Sequence, residues 1–273
     1  MRCPFLREEQ VKSCLAAPFR NAVVRAKVRF DLEHCSQAAH AGCPLAAGSR
    51  EAHPSPGHCP FLHESLVQFC SNAPRPTYVP WSESPELRCA HDGHRYCEAF
   101  REAAPASALA GARGDPRIHV VERVPMPGWL LYAPNHLWLD PGDDGVCHLG
   151  IDAFASRLLG KLERLTLLTI SGTVRPAVVL TVGGVDLTLV FPLSLSLISA
   201  NGLLRSRLDR LACDPYGLGW LFEARFRPGE GRPAPLPERT LREGRAAREW
   251  MAAEVRRAAG HARQEAAAQA QAP

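Results

Sequence analysis

Residues 177–198 read AVVLTVGGVDLTLVFPLSLSLI. Three apolar runs, AVVLTV, VDLTLVF and LSLSLI, are separated by a Gly-Gly pair and by a proline. Runs of this length, rich in β-branched residues and bounded by turn formers, predict strands, and the Gly-Gly pair predicts a hairpin between the first two. The texture continues on the N-terminal side as IHVVERV, WLLYA, HLWL, GVCHLGI and LTLLTI, broken by the turn signals PGDDG and SGTVRP. Many short strands at close spacing predict a β-sandwich or barrel. One helix interrupts them, DAFASRLL at 152–159, with Asp152 as its N-cap. Cys147 alternates along a strand as a small core residue, and Trp138 and Trp220 are expected as core aromatics.

Outside this region the chain changes character. Residues 101–116, REAAPASALAGARGDP, read as a linker rich in Ala, Gly and Pro. A Pro/Gly linker follows Pro228, and a helix is expected from about Leu241, started by a capping box of Thr240 and Glu243. Trp250, Met251 and Val255 give that helix an apolar stripe, and its end, HARQEAAAQAQAP, is expected to fray.

The first 100 residues hold a segment written twice. CPFLREEQVKSCLAAP at 3–18 recurs as CPFLHESLVQFCSNAP at 59–74, and two more cysteines follow each copy. The thiols are Cys3, Cys14, Cys35 and Cys43 in the first copy (3–43) and Cys59, Cys70, Cys89 and Cys97 in the second (59–97). Fixed-period self-similarity of this kind marks a repeated structural unit. Glu8–Leu15 and Glu64–Phe69 carry helix formers, which predicts a small helical or irregular module. One straight helix over 3–14 would hold its two cysteines roughly 16 Å apart, so a shared site requires CPFL to fold back as a turn.

Four thiols per copy can hold zinc or an iron–sulfur cluster. Structural zinc sites favour C-x2–4-C pairs, and none exists here. Cys-Pro, found at Cys3, Cys43 and Cys59, also occurs in ferredoxin-type runs. The expectation is two four-cysteine sites, preferably 4Fe–4S, with zinc as the alternative and disulfides or unliganded thiols behind it. His34, His58, His91 and His94 neighbour these cysteines and are expected as surface loop residues. Cys213 reads as a bystander.

The β-rich part resembles the H-protein of the glycine cleavage system, a lipoyl-carrying domain. The residues concerned are His136-Leu137-Trp138, then GVCHLGIDAFASRLLGKL at 145–162, the hairpins over 171–202 ending in Ala200-Asn201-Gly202, and DPYGLGWL at 214–221. Together they cover about residues 127–226, and the last is the specific one. The resemblance implies a barrel-sandwich hybrid fold within 117–228. It also implies a lysine on a Glu-Ser-x-Lys hairpin to carry lipoate. A gapless count back from Gly202 puts that lysine position at about Phe191, which has no amine, so no lipoate is expected.

Composition narrows the classes further. Apolar residues make up 46% and charged residues 22%, with a net charge of +4. No clustered basic face suggests nucleic acid, and no 18-residue apolar run suggests a membrane span. The N-terminus lacks an apolar signal core, which predicts a cytoplasmic protein. No phosphate loop, G-x-S-x-G or H-E-x-x-H is present, and no catalytic constellation is visible. The reading is a non-enzymatic accessory protein with protein partners, redox or glycine-cleavage-related. Its alternatives are a structural zinc adaptor and a lipoyl carrier with its lysine displaced to Lys161.

Overall fold

The computed structural model describes residues 2–14, 22–24, 35, 42–44, 59–73, 77–79, 88–104, 117–142, 145–168, 172–226 and 240–270. The chain divides into two compact units, one of residues 4–84 and one of residues 1–3 with 85–273. The division falls before Cys89 and Cys97, so these two thiols belong with the β-rich unit. Residues 98–103 are helical, which shortens the linker expected at 101–116. Its remainder from 105 lies outside the described residues, as do His34 and His58.

In the unit of residues 4–84 the expected helices are strands. β1 spans Leu6–Cys14, β2 Ala22–Val24, β3 Leu62–Cys70 and β4 Thr77–Val79, in one sheet of order β2-β1-β3-β4. Propensity loses here to pairing between the copies, since each strand supplies the other's backbone hydrogen bonds over its full length. The register is self-complementary. Leu6 faces Cys70, Gln10 faces Leu66 and Cys14 faces Leu62. Leu6 and Leu62 are equivalent in the repeat, as are Cys14 and Cys70, so β1 and β3 pair about a local two-fold axis between Gln10 and Leu66. The flanking strands obey the same axis. Lys12 faces Val23 just as Gln68 faces Val79, and Ser13 faces Ala22 just as Phe69 faces Tyr78. The turns expected of the CPFL segments are present at Pro4-Phe5 and Pro60-Phe61.

The other unit is β-rich. α1 (Glu98–Ala103) precedes a hairpin of β5 (Ile118–Val121) and β6 (Val124–Pro127). Next come β7 (Leu131–Tyr132), β8 (Leu137–Pro141), β9 (Val146–Ile151), α2 (Ala153–Leu159), β10 (Arg164–Leu168) and β11 (Thr173–Val174). The chain closes with β12 (Ala177–Val182), β13 (Val185–Val190), β14 (Leu195–Ala200), α3 (Arg210–Cys213), β15 (Trp220–Arg225) and α4 (Gly244–Ala270). A six-stranded sheet, β11-β14-β15-β9-β8-β7, packs with a three-stranded one, β10-β12-β13. Between them lies an apolar core that includes Leu139, Leu149, Leu180, Phe191, Leu195 and Leu221. A second core of Tyr96, Met126, Tyr132, Trp138, Trp220 and Met251 includes the first turns of α4. The sandwich expected from the strand pattern is therefore present.

Local details follow from residue chemistry. Asp152 accepts from the Ala155 amide at 2.8 Å, which caps α2 as its sequence requires. α4 begins three residues later than the capping box suggests. Leu241 is buried in the first core, and Arg242 exchanges two backbone hydrogen bonds with Tyr132 at 2.8 Å each. Those residues are therefore extended, and the helix starts at Gly244, with φ of +53°. The end of α4 stays helical to Ala270.

Gly150 has no room for a side chain, because a Cβ there would enter the indole of Trp138. Gly150→Ala is expected to destabilise the β-rich unit by about 2–3 kcal/mol, the usual cost of overpacking a tight core. The check is a urea denaturation followed by tryptophan fluorescence; an unchanged midpoint would contradict this packing.

Candidate functional site

Two places gather chemistry-bearing residues, one in each unit. In residues 4–84 the backbone brings cysteines of different copies together. The Cys59 amide donates to the Cys35 carbonyl at 2.8 Å. The Leu62 amide, opposite Cys14, closes the turn onto the Cys59 carbonyl at 3.0 Å. Cys59 is buried, and Cys35, Cys43 and Cys70 are half-buried. The β-rich unit repeats this cross-copy bond, since the Cys3 amide donates to the Cys89 carbonyl at 2.9 Å. The sequence-based expectation groups the thiols by copy. Nine residues of extended chain in β3 separate Leu62 from Cys70 by about 26 Å, so Cys59 and Cys70 sit at opposite ends of one strand. Cys43, Cys59, Cys70, Cys97, Cys147 and Cys213 are thiols outside any disulfide. Among the described residues no three His, Cys, Asp or Glu side chains are gathered as a metal cage.

The second place lies within the β-rich unit, where strands β9, β14 and β15 meet residues 88–97. Glu223 of β15 is 2% exposed. Its Oε2 accepts from Arg88 Nη2 at 3.0 Å and from Ser199 Oγ at 2.8 Å. Its Oε1 faces two imidazoles, His91 Nε2 and His148 Nε2, each 3.8 Å away. His91 and His94 are buried rather than at the surface as expected. His91 Nδ1 accepts from the Gly93 amide at 3.0 Å, which folds the loop inward.

His148 stacks on Tyr96 with ring centroids 4.0 Å apart. Burial, then the nearby charges of Arg88 and His91, hold its pKa well below the ordinary histidine range. Glu223 stands close, but Arg88 already engages that carboxylate, so desolvation prevails. Tyr96 donates to Asp140 Oδ2 at 2.6 Å, and its hydroxyl is pushed well up, chiefly by burial. Burial likewise drives the Cys147 thiol upward, in keeping with an inert core residue. Beside this cluster a cavity of about 290 Å3 is lined by Arg88, Tyr96, Glu98, Ser199, Asn201 and Trp220, among others.

Sequence reading missed His148, Glu223 and Arg88. For His148 and Glu223 the available signal was a polar residue inside an apolar run, in VCHLG and in WLFEA. A polar group there is either strained or paired.

The segment 214–221 is a structural knot. Asp214 accepts from the Leu218 amide at 2.8 Å and from Arg101 at 3.0 Å. The Tyr216 hydroxyl accepts from the Ala153 amide at the start of α2 at 3.0 Å. Asn201 Nδ2 donates to the Leu218 and Trp220 carbonyls, both at 2.8 Å. Gly219 tolerates no Cβ, which would lie 2.7 Å from the Arg210 carbonyl oxygen. These residues fix the turn and offer no reactive group.

The β12–β13 hairpin turns at Gly183-Gly184, both exposed and both with positive φ. Phe191 lies past β13 and is 1% exposed, whereas Lys161 is exposed between α2 and β10.

Three curated relatives align with this chain over 36% of its length, each a glycine cleavage system H protein. That of Pseudoalteromonas atlantica is 32% identical over 101 residues and matched over 78% of its own length. For Mycolicibacterium vanbaalenii the figures are 30% over 103 residues and 77%, and for a Psychrobacter species 31% over 101 residues and 79%. A crystal structure of the H protein from Mycobacterium marinum aligns at 27% identity and a TM-score of 0.34, over 37% of this chain and 85% of that one. No family model matches the chain.

Proposed function

The chain belongs to the glycine cleavage H-protein family through its β-rich part, and we propose that it is a member without a lipoyl arm that works as an accessory protein. In this reading the H-like fold is a docking surface for protein partners, and the duplicated cysteine module holds thiolate metal centres, preferably iron–sulfur. One observation carries the first half. The chain has lysines only at positions 12, 27 and 161, so none follows Lys161. Lipoate is attached through an amide, which needs an amine. Neither the exposed Gly183-Gly184 tip nor Phe191 offers one.

Incubation with a lipoyl ligase and lipoate is expected to leave the intact mass unchanged. A mass gain mapped to Lys161, which is exposed, would instead support a carrier with a displaced arm. No described helix is long and apolar enough to cross a membrane.

The metal half rests on the number and repetition of the thiols. Eight cysteines in two equivalent sets of four match the ligand count of a 4Fe–4S cluster or a tetrathiolate zinc site. Iron, sulfide and zinc content after anaerobic purification separates the two. A visible charge-transfer band with iron supports the cluster, and a colourless protein containing zinc supports the adaptor reading.

A further inference from the structure

We propose that Cys14, Cys35 and Cys59 serve one metal centre, so that thiol sites are exchanged between the two copies of the repeat. This rests on the metal reading above and fixes which thiols share a site. Grouping by copy fails on length. β3 holds its ends about 26 Å apart, and β1 has the same nine residues. A tetrathiolate site places all its sulfurs within about 2.3 Å of one small metal ion, and a cluster is larger by only a few ångströms. Cys59 and Cys70 therefore serve different centres.

The antiparallel register supplies the partners instead. Cys14 ends β1 opposite Leu62, and Leu62 closes the turn that begins at Cys59. The first copy's Cys35 binds the backbone of the second copy's Cys59 directly, at 2.8 Å. The bond from the Cys3 amide to the Cys89 carbonyl repeats this exchange with the copies reversed, 2.9 Å long. Two occurrences of one cross-copy contact, related by the repeat, point to a built feature. Cys59, 3% exposed, lies where a metal would be shielded from water.

The exchange predicts an asymmetry between double variants. Metal content is measured on full-length protein purified anaerobically, as iron, acid-labile sulfide and zinc per chain. Cys59→Ser should lose half the metal of the wild type. Cys35→Ser combined with Cys59→Ser should lose no more, because both residues serve the same centre. Grouping by copy requires the double variant to hold none, and that result would overturn the exchange.

A second measurement covers the case in which serine variants fail to fold. Wild-type protein stripped of metal and mildly oxidised should form a Cys35–Cys59 disulfide, since their backbones are in direct contact. Peptide mapping that instead joins Cys59 to Cys70, Cys89 or Cys97 would refute the proposal. Wild-type protein holding neither iron nor zinc would overturn the metal reading, while the disulfide map would still decide the exchange of thiols.

Discussion

Arg88→Ala is expected to lower the stability of the β-rich unit by about 3 kcal/mol. Breaking a buried ion pair from one side costs about 3–5 kcal/mol, because the abandoned charge stays out of water. Here the abandoned group is Glu223, whose side chain is 3% exposed, with Ser199 still donating to it. The lower end applies because Arg88 itself keeps about a third of its surface in solvent. The guanidinium also lies over the Trp220 ring, 4.7 Å from its centroid, which adds about 0.5–1 kcal/mol.

The control is the same substitution in a Glu223→Gln background. With no charge to strand, Arg88→Ala should there cost about 1 kcal/mol. Urea unfolding of the two pairs measures the difference. Equal costs in both backgrounds would mean that the ion pair does not organise this site.

Acid should weaken the same region through His148. Its folded pKa is depressed well below the ordinary value of 6.5, first by burial and then by Arg88 and His91. The unfolded chain therefore takes up this proton first as pH falls. The stability contributed by the neutral ring is complete above about pH 6.5 and is lost as pH falls toward the depressed folded value. The slope approaches about 1.4 kcal/mol per pH unit where the unfolded chain has taken up the proton and the folded ring has not. His148 Nε2 has no hydrogen-bond partner among the described residues, so His148→Phe removes the titration without stranding a donor there. That variant should show a flatter dependence of unfolding midpoint on pH across this window. An identical slope in variant and wild type would assign the acid sensitivity to the neighbours that face His148, namely Arg88, His91, Tyr96 and Glu223.

The β-rich part was legible because its signals are local. Period-two apolar runs, Gly-Gly and Asp-Gly turns and the Asp152 cap each act within a few residues. The short helix at 153–159 and the core tryptophans followed from them. The N-terminal strands were not legible, because Glu8–Leu15 and Glu64–Phe69 favour helix until the other copy arrives to pair with them. That partner is distant in sequence, and no local pattern encodes it.

The duplication announced the repeated thiols, but spacing along the chain says nothing about which end of a strand meets which. His91 and His94 were misplaced for a related reason. A loop rich in Asp, Gly, His and Arg reads as solvent-facing, and the ion pair that ties its start inward joins Arg88 to Glu223, distant in sequence. The opening of α4 was misjudged where burial of Leu241 outweighed a local capping signal.

A sheet with a two-fold axis between equivalent strands is the sheet that two separate copies of one peptide would form. β1 and β3 present the same edge to each other, which makes the contact isologous in the sense used for homodimers. In this chain the intervening residues act as a tether. They turn an encounter between two molecules into a closure within one. The tether removes the dilution limit that an untethered pair would face. Half of the module on its own would therefore have its natural complement in a second identical half.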